Sequence, residues 1–187
     1  MSLLIIIRLV IFFLGTIIIV FVSRKSLRNY KVHGFYRFFV FECTLLLVTL
    51  NLQYWISKPF SPLQIISWIF LTFSLYPLIA SVYLLKKFGN SGRREEQSAN
   101  YTFENTTNLV KDGIYKYIRH PMYSSLLFLS LGTLLKNISV FTIGLTAIII
   151  IFLVFTAKVE EKENIIFFRN AYNDYVKKTK MFIPYIF

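Results

Sequence analysis

The chain has 187 residues, of which 56% are hydrophobic and 18% aromatic, and its mean hydropathy is +0.58. This composition excludes an ordinary soluble domain and predicts an integral membrane protein, because several apolar runs approach the ~20 residues that a bilayer requires. The formal net charge of +12 does not indicate nucleic-acid binding, because the basic residues lie in short segments between the apolar runs, as the positive-inside rule expects.

Cysteine and histidine are too sparse for a disulfide or a metal site. Cys43 is the single cysteine, and the two histidines, His33 and His120, lie far apart in the sequence. We therefore expect no metal.

The N-terminal apolar run is longer than the core of a signal peptide and has no small-residue cleavage site, which predicts a retained membrane helix. Richness in Ile, Phe, Asn and Lys favours an AT-rich prokaryotic source, and hence a prokaryotic plasma membrane.

Three apolar runs in the first half predict membrane-spanning helices, at Leu3–Val22, Phe38–Ile56 and Leu63–Leu85. The segment Ser23–Arg37 between the first two holds basic residues and no acidic one, which predicts a cytoplasmic location and an N-terminus outside. Pro62 suits the first turn of the third helix.

Glu42 is the acidic residue inside the second predicted span, about one turn from its cytoplasmic edge. Two interpretations stay open. Glu42 either pairs with Arg37 or reaches interfacial water, or it lines a polar cavity. The second interpretation makes Glu42 a candidate for positioning a substrate.

The second half begins with the longest polar stretch, Lys86–Tyr123, whose part from Gly89 to Glu96 is typical of a mobile loop. Ser124–Leu135 then forms an apolar run of only about 18 Å as a helix, even if Pro121 begins it. After a turn, Ser139–Ala157 returns the chain across the membrane.

We therefore predict an all-α integral membrane protein with about five transmembrane helices, the last two forming a helical hairpin, with the N-terminus outside and the C-terminus cytoplasmic. Residues 1–85 would form a three-helix membrane platform. Residues 86–187 would form the functional region, with a cytoplasmic loop, the hairpin and a cytoplasmic tail. This arrangement places all three basic segments on one side of the membrane.

The stretch Gly113–Tyr123 is the densest group of polar, aromatic and basic residues in the chain. Pro121 fits the first turn of a helix and pushes His120 towards an extended conformation. The start of that helix offers unpaired N–H groups and the positive end of a dipole, which favour a carboxylate or a phosphate. Tyr115 and Tyr123 offer flat faces for an aromatic base or a cation.

One hairpin later, Glu160 and Glu161 offer negative charge for hydroxyls, an ammonium or a sulfonium. S-adenosylmethionine is a ligand that carries groups matching both clusters. The alternative is that the basic and aromatic residues are interface anchors and that Glu160–Glu163 is a solvated end of a helix.

The ordered motifs of roughly the last eighty residues carry a family resemblance: Leu109–Tyr115, Arg119–Tyr123, Glu160–Glu161, Phe168 with Tyr172 and Tyr175, and Phe182–Pro184. In these motifs the chain resembles the isoprenylcysteine carboxyl methyltransferases and related membrane methyltransferases, which include phospholipid N-methyltransferases. The five-span layout is similar to that of compact prokaryotic members.

The resemblance implies a pocket for S-adenosylmethionine on the cytoplasmic face. The residues matching its binding motif are Leu109, Val110, Tyr115, His120, Pro121, Tyr123 and Glu160, with Glu161 as the neighbouring acid. Where the carboxyl methyltransferases have an arginine tied to the acceptor, this chain has Thr156, and Lys158 is a candidate to replace it. Glu42 and Arg119 are further candidates for positioning the acceptor.

The sequence thus predicts a membrane S-adenosylmethionine-dependent methyltransferase of the isoprenylcysteine carboxyl type, acting on a lipidic or prenylated acceptor. A carboxylate acceptor needs no general base, whereas an amine must lose a proton, and few bases are visible. A phospholipid N-methyltransferase and a catalytically silent membrane binding module are the alternatives. Membrane sterol reductases share the C-terminal architecture, but the chain is short for one.

Overall fold

A computed structural model describes residues 3–90 and 104–187, and over these residues the regular structure is helical, with no β-strand. This confirms the predicted all-α fold. The predicted mobile loop lies almost wholly outside the described residues. The helices are α1 (Leu3–Ser23), α2 (His33–Asn51), α3 (Pro62–Phe88), α4 (Pro121–Leu134), α5 (Val140–Phe168) and α6 (Asn170–Lys178).

Four helices, α1, α2, α3 and α5, are long and apolar enough to cross a membrane, which supports the predicted membrane protein. Helix α4 has only 14 residues, or about 21 Å, and is shorter than the ~30 Å hydrocarbon core. Helix α5 has 29 residues, or about 44 Å, so its C-terminal part extends beyond the hydrocarbon core.

Two helices run furthest beyond their predicted limits. Helix α2 begins at His33 rather than Phe38, and α5 continues past Ala157 to Phe168. The prediction followed hydropathy, whereas Lys and Glu are good helix formers and let a helix continue beyond the membrane. As a result, Glu160 lies on a rigid helix rather than in a tail. Pro62 and Pro121 each begin a helix, as predicted.

Helix α4 lies at the centre of the packing. It packs most extensively on α3 and also contacts α2 and α5, while α2 packs on α5 and α1. The apolar core joins α2, α4 and α5 through Val40, Leu47, Leu127, Leu145, Ile149 and Leu153. This core fixes the start of α4 beside the C-terminal part of α5.

Buried polar contacts support the packing of α4 against its neighbours. The Ser67 hydroxyl donates to the Gly132 carbonyl at 2.6 Å, and the Asn51 side chain donates to the Thr133 carbonyl at 3.0 Å. Lys136, just after α4, donates to the Gln64 side chain at 3.0 Å. These bonds join segments that lie far apart in the sequence. They help to fix the orientation of the helices, which apolar contacts alone specify only weakly in a membrane.

The close approach of α3 and α4 predicts that Gly132→Ala is destabilising. The added Cβ would lie 2.9 Å from Leu71 Cγ and 3.1 Å from the Leu71 backbone nitrogen, so the helices must separate. We expect a cost of about 1–3 kcal/mol, measured as a lower midpoint of thermal unfolding in detergent. Gly144→Ala is the matched control, because nothing lies within 4 Å of its Cβ. Equal midpoints for the two variants would contradict this packing.

Candidate active site

The residues after α6 hold the start of α4 in place. The His120 backbone N–H donates to the Met181 carbonyl at 3.1 Å, and the Ser124 hydroxyl donates to the Phe182 carbonyl at 2.7 Å. His120 has φ −123° and ψ 62°, outside the helical region as expected before Pro121, although its ψ falls short of fully extended backbone. The C-terminal segment therefore fixes the backbone from which the His120 side chain projects.

A 3₁₀ turn, Gly113–Lys116, places Tyr115 in the same region. Gly113 has φ +58°, and an added Cβ would lie 2.8 Å from Leu84 Cδ1, so glycine is required here. The Tyr175 hydroxyl of α6 donates to the Tyr115 carbonyl at 2.7 Å. Burial raises the pKa of Tyr115 well above its ordinary value, so this hydroxyl stays neutral.

His120 lies between two carboxylates of α5. Its Nδ1 is 3.5 Å from Glu160 Oε2, and its Nε2 is 3.3 Å from Glu161 Oε1, which also pairs with Arg119 Nε at 2.6 Å. Burial alone would lower the pKa of His120. The hydrogen bond and charge of Glu160, followed by those of Glu161, outweigh burial and raise this pKa above its ordinary value.

The raised pKa of His120 predicts a stability that depends on pH. The stabilisation by the imidazolium is fully present below the unfolded pKa of about 6.5 and is lost as pH rises through the higher folded value. The thermal midpoint should therefore fall more steeply above about pH 6.5 in the wild-type protein than in His120→Gln. Scanning calorimetry at a series of pH values measures this, and identical slopes would contradict the assignment.

A polar pocket opens between the start of α4, the end of α5 and α6. It brings together all but one of the predicted cofactor-binding residues, Glu161 being the exception. The lining consists of Leu85, Glu104, Thr106, Leu109, Val110, Tyr115, Arg119, His120, Pro121, Met122, Tyr123, Glu160, Asn164, Phe168, Tyr172 and Tyr175.

Sequence reasoning did not assign two residues of α5 to the pocket, although one of them, Phe168, belongs to the motifs of the family resemblance. Asn164 and Phe168 follow Glu160 at intervals of four residues, so all three lie on one face of the helix. Helical periodicity would have found them had α5 been predicted to continue past Ala157. Tyr172 of α6 stacks on Phe168, with ring centroids 6.4 Å apart. Aromatic rings at the end of α5 and on α6 therefore form part of the pocket wall.

An apolar groove between α2, α3 and α4 shares part of its wall with the polar pocket. Leu75 and Leu78, at its margin, are 54% and 41% exposed, so the groove is open sideways towards lipid. Three residues line both spaces: Glu104, Met122 and Tyr123. The rest of the groove is lined by Arg37, Phe41, Ser74, Leu75, Leu78, Val82, Ser125, Leu126 and Leu129.

Tyr123 lies where the pocket and the groove meet, and its ring stacks on His120 with centroids 5.3 Å apart. Tyr123 is 3% exposed, and its hydroxyl lies beside the Glu160 carboxylate, which also lines the pocket.

A second charged cluster joins the start of α2 to α5 and to the loop before α4. The His33 Nδ1 lies 2.7 Å from Glu163 Oε2, and the His33 Nε2 lies 3.9 Å from Glu104 Oε2. Arg37 Nη1 lies 2.5 Å from Glu104 Oε1. Burial would raise the pKa of Glu104, but the Arg37 charge and the hydrogen bond with His33 outweigh burial and hold that pKa below its usual range.

The predicted acceptor-positioning residues lie in three different places. Arg119 borders the polar pocket but is held by Glu161 and by backbone carbonyls near the end of α6. Glu42 accepts a hydrogen bond from Thr16 of α1 at 2.9 Å, whereas Arg37 pairs with Glu104. Lys158 is exposed and lines neither the pocket nor the groove.

Two further predicted positions have structural contacts. The Thr156 hydroxyl donates to the Phe152 carbonyl of its own helix at 2.6 Å, and Thr156 is fully buried. Glu161 pairs with Arg119 and approaches His120 from outside the pocket lining, because its neighbour Glu160 occupies the inward face of α5.

The family model described as phospholipid methyltransferase matches residues 63–173, which is more than half of the chain and includes α3, α4, α5 and most of the polar pocket. No curated protein and no solved structure matches the chain. The family match agrees with the resemblance carried by the motifs from Leu109 to Glu161. The chain therefore belongs to the phospholipid methyltransferase family, which is the family of the isoprenylcysteine carboxyl methyltransferases, and is a membrane methyltransferase by family.

Proposed function

We propose that this protein is an S-adenosylmethionine-dependent methyltransferase whose acceptor lies in the apolar groove while the cofactor lies in the polar pocket. The observation that carries the proposal is that Tyr123, Glu104 and Met122 line both spaces. A methyl donor and a lipidic acceptor would approach each other there from opposite sides. Membership of the phospholipid methyltransferase family supports the same reaction.

The pocket's residues fit the proposed cofactor. Glu160 offers a carboxylate for hydroxyls or an ammonium, and the rings of Phe168 and Tyr172 offer faces for an adenine. The Tyr123 hydroxyl, beside Glu160, adds a second polar group to the pocket lining. His120, Arg119 and the acids of α5 form a charged network that fixes these groups before a ligand arrives.

When bound, S-adenosylmethionine supplies a methyl group from its positively charged sulfur. The electron pair of the broken carbon–sulfur bond stays on the sulfur, which becomes neutral. The chain's own residues align the partners and exclude water. The stacked His120 and Tyr123 rings close one side of the meeting point, and the Tyr123 side chain is almost fully buried. Met122 adds an apolar surface shared by both spaces.

A carboxylate is the acceptor that needs the fewest additional groups, because it is ionised at neutral pH and attacks without losing a proton. Among the tyrosines around the polar pocket, Tyr115, Tyr172 and Tyr175 have pKa values raised by burial, so they are not bases at neutral pH. These observations support carboxyl O-methylation, of the isoprenylcysteine type, as the first assignment.

A phospholipid amine is the second assignment, favoured by Glu104. This carboxylate borders both the pocket and the groove, where it would lie next to an ammonium head group. The description of the matched family points to the same acceptor. In this case the amine must lose its proton before it attacks the methyl carbon.

We further propose five crossings, with α4 and α5 as a hairpin, the N-terminus outside and the site on the cytoplasmic face, because this layout keeps the basic segments on one side. Residues 1–85 would act as the platform, with α2 and α3 as walls of the groove. Residues 86–187 would carry most of the cofactor-binding residues.

Methyl transfer in vesicles tests the proposal. The purified protein is incubated with methyl-labelled S-adenosylmethionine and either phosphatidylethanolamine vesicles or N-acetyl-S-farnesylcysteine. Label that mild base releases as methanol identifies a methyl ester, and label that resists base identifies an N-methyl group. Cofactor binding without transfer to either acceptor would instead support the silent binding module.

A further inference from the structure

The apolar groove ends in a buried arginine that the motifs of the family resemblance do not include. We propose that Arg37 of α2 docks the anionic group of the acceptor, a carboxylate or a phosphate, at the end of the groove that meets the polar pocket. This inference rests on the proposed function and specifies the chemistry of the acceptor's head group.

The position of Arg37 carries the inference. Its side chain is only 6% exposed, and it is the one basic residue among the described residues that line the groove. Its partner Glu104, 2.5 Å away, lines both the groove and the polar pocket. An anion held by this guanidinium would therefore lie within a few ångströms of the place where the cofactor pocket opens.

The chemistry of the groove fits a ligand with an apolar tail and an anionic head. Phe41, Leu78 and Leu126 surround the space that a hydrocarbon tail would fill. The planar guanidinium of Arg37 matches the paired oxygens of a carboxylate or a phosphate. Because the site is buried, the attraction between these charges exceeds its value in water.

A purely structural ion pair explains the arrangement less well. Burying two opposite charges gives little net stability, and apolar side chains of similar volume often serve equally well. Helix α2 is already attached to its neighbours through Val40 and Leu47, both fully buried. Apolar contacts therefore already contribute to its placement, whereas recognition of an anion needs a charge.

The test uses probes that share a twelve-carbon chain and differ in the group at its end. N-dodecanoylglycine carries a carboxylate, monododecyl phosphate carries a phosphate, and N-dodecanoylglycinamide is neutral. Binding of each labelled probe is measured with protein purified in dodecyl maltoside. We expect the wild-type protein to bind at least one of the anions roughly tenfold or more tightly than the amide.

Arg37→Gln should abolish this preference while leaving the affinity for the neutral amide unchanged. Arg28→Gln is the matched control, because Arg28 is exposed and the substitution removes the same charge from the same basic segment. The double variant Arg37→Gln/Glu104→Gln removes both charges of the pair and serves if the single variant is unstable. Preference retained in either folded variant would overturn the proposal.

The outcomes distinguish the sources of the anion. Preference for the carboxylate alone assigns a carboxylate acceptor, and preference for the phosphate alone assigns a phospholipid head group. Equal wild-type binding of all three probes overturns the docking role of Arg37. S-adenosylhomocysteine binding is measured in the same samples. A wild-type protein that does not bind this ligand would overturn the proposed function, whatever the result for Arg37.

Discussion

Glu160→Gln is expected to weaken the binding of S-adenosylhomocysteine at least tenfold, which corresponds to about 1.4 kcal/mol. Glu160 lines the polar pocket and lies 3.5 Å from His120, so the substitution removes the carboxylate and leaves the imidazolium with less negative charge. His120→Ala should have an effect of similar size. Equilibrium dialysis with labelled ligand measures both affinities.

Asp174→Asn is the control for this prediction, because it also replaces a carboxylate by an amide. Asp174 is exposed on α6 and pairs only with Lys177 among the described contacts. The affinity of the Asp174→Asn variant for S-adenosylhomocysteine should match that of the wild-type protein. Unchanged affinity in both Glu160→Gln and His120→Ala, each shown to be folded by its thermal midpoint, would remove the proposed pocket.

Leu78→Trp is expected to reduce kcat/KM for the acceptor at least tenfold without changing cofactor affinity. Leu78 lines the apolar groove, and a larger ring would occupy the space proposed for the acceptor's tail. The reaction measured is transfer of labelled methyl to whichever acceptor the vesicle assay identifies. The change corresponds to about 1.4 kcal/mol or more of lost transition-state stabilisation.

Ile79→Trp is the matched control, since Ile79 is the next residue of α3, is 65% exposed and does not line the groove. It should keep the wild-type kcat/KM. Equal activity of the two variants would show that the acceptor does not use the groove. A parallel loss of S-adenosylhomocysteine binding in Leu78→Trp would indicate a general disturbance instead.

Much of the polar pocket could be predicted because its residues are close in sequence. Pro121 marks the start of α4, which places His120 and Tyr123 one turn apart, and the structure stacks their rings. Glu160 was proposed as negative charge for a ligand because the hairpin returns it to the same side of the membrane, and the family resemblance added it to the cofactor-binding motif. The structure places this carboxylate beside His120.

The second charged cluster could not be predicted, because its members are far apart in the sequence. The pairs of Arg37 with Glu104 and of His33 with Glu163 depend on how α2 packs against the loop before α4 and against α5, which neither hydropathy nor a motif specifies. Hydropathy also ended α5 at Ala157, since the charged residues that follow looked like a solvated tail. Their helix propensity, rather than their polarity, decided the structure.

The central claim is that the polar pocket binds S-adenosylmethionine, and calorimetric titration of S-adenosylhomocysteine into the purified wild-type protein tests it most directly. The account predicts saturable binding with a Kd in the micromolar range, about −8 kcal/mol, and one ligand per chain. A folded sample that shows no binding would contradict the account.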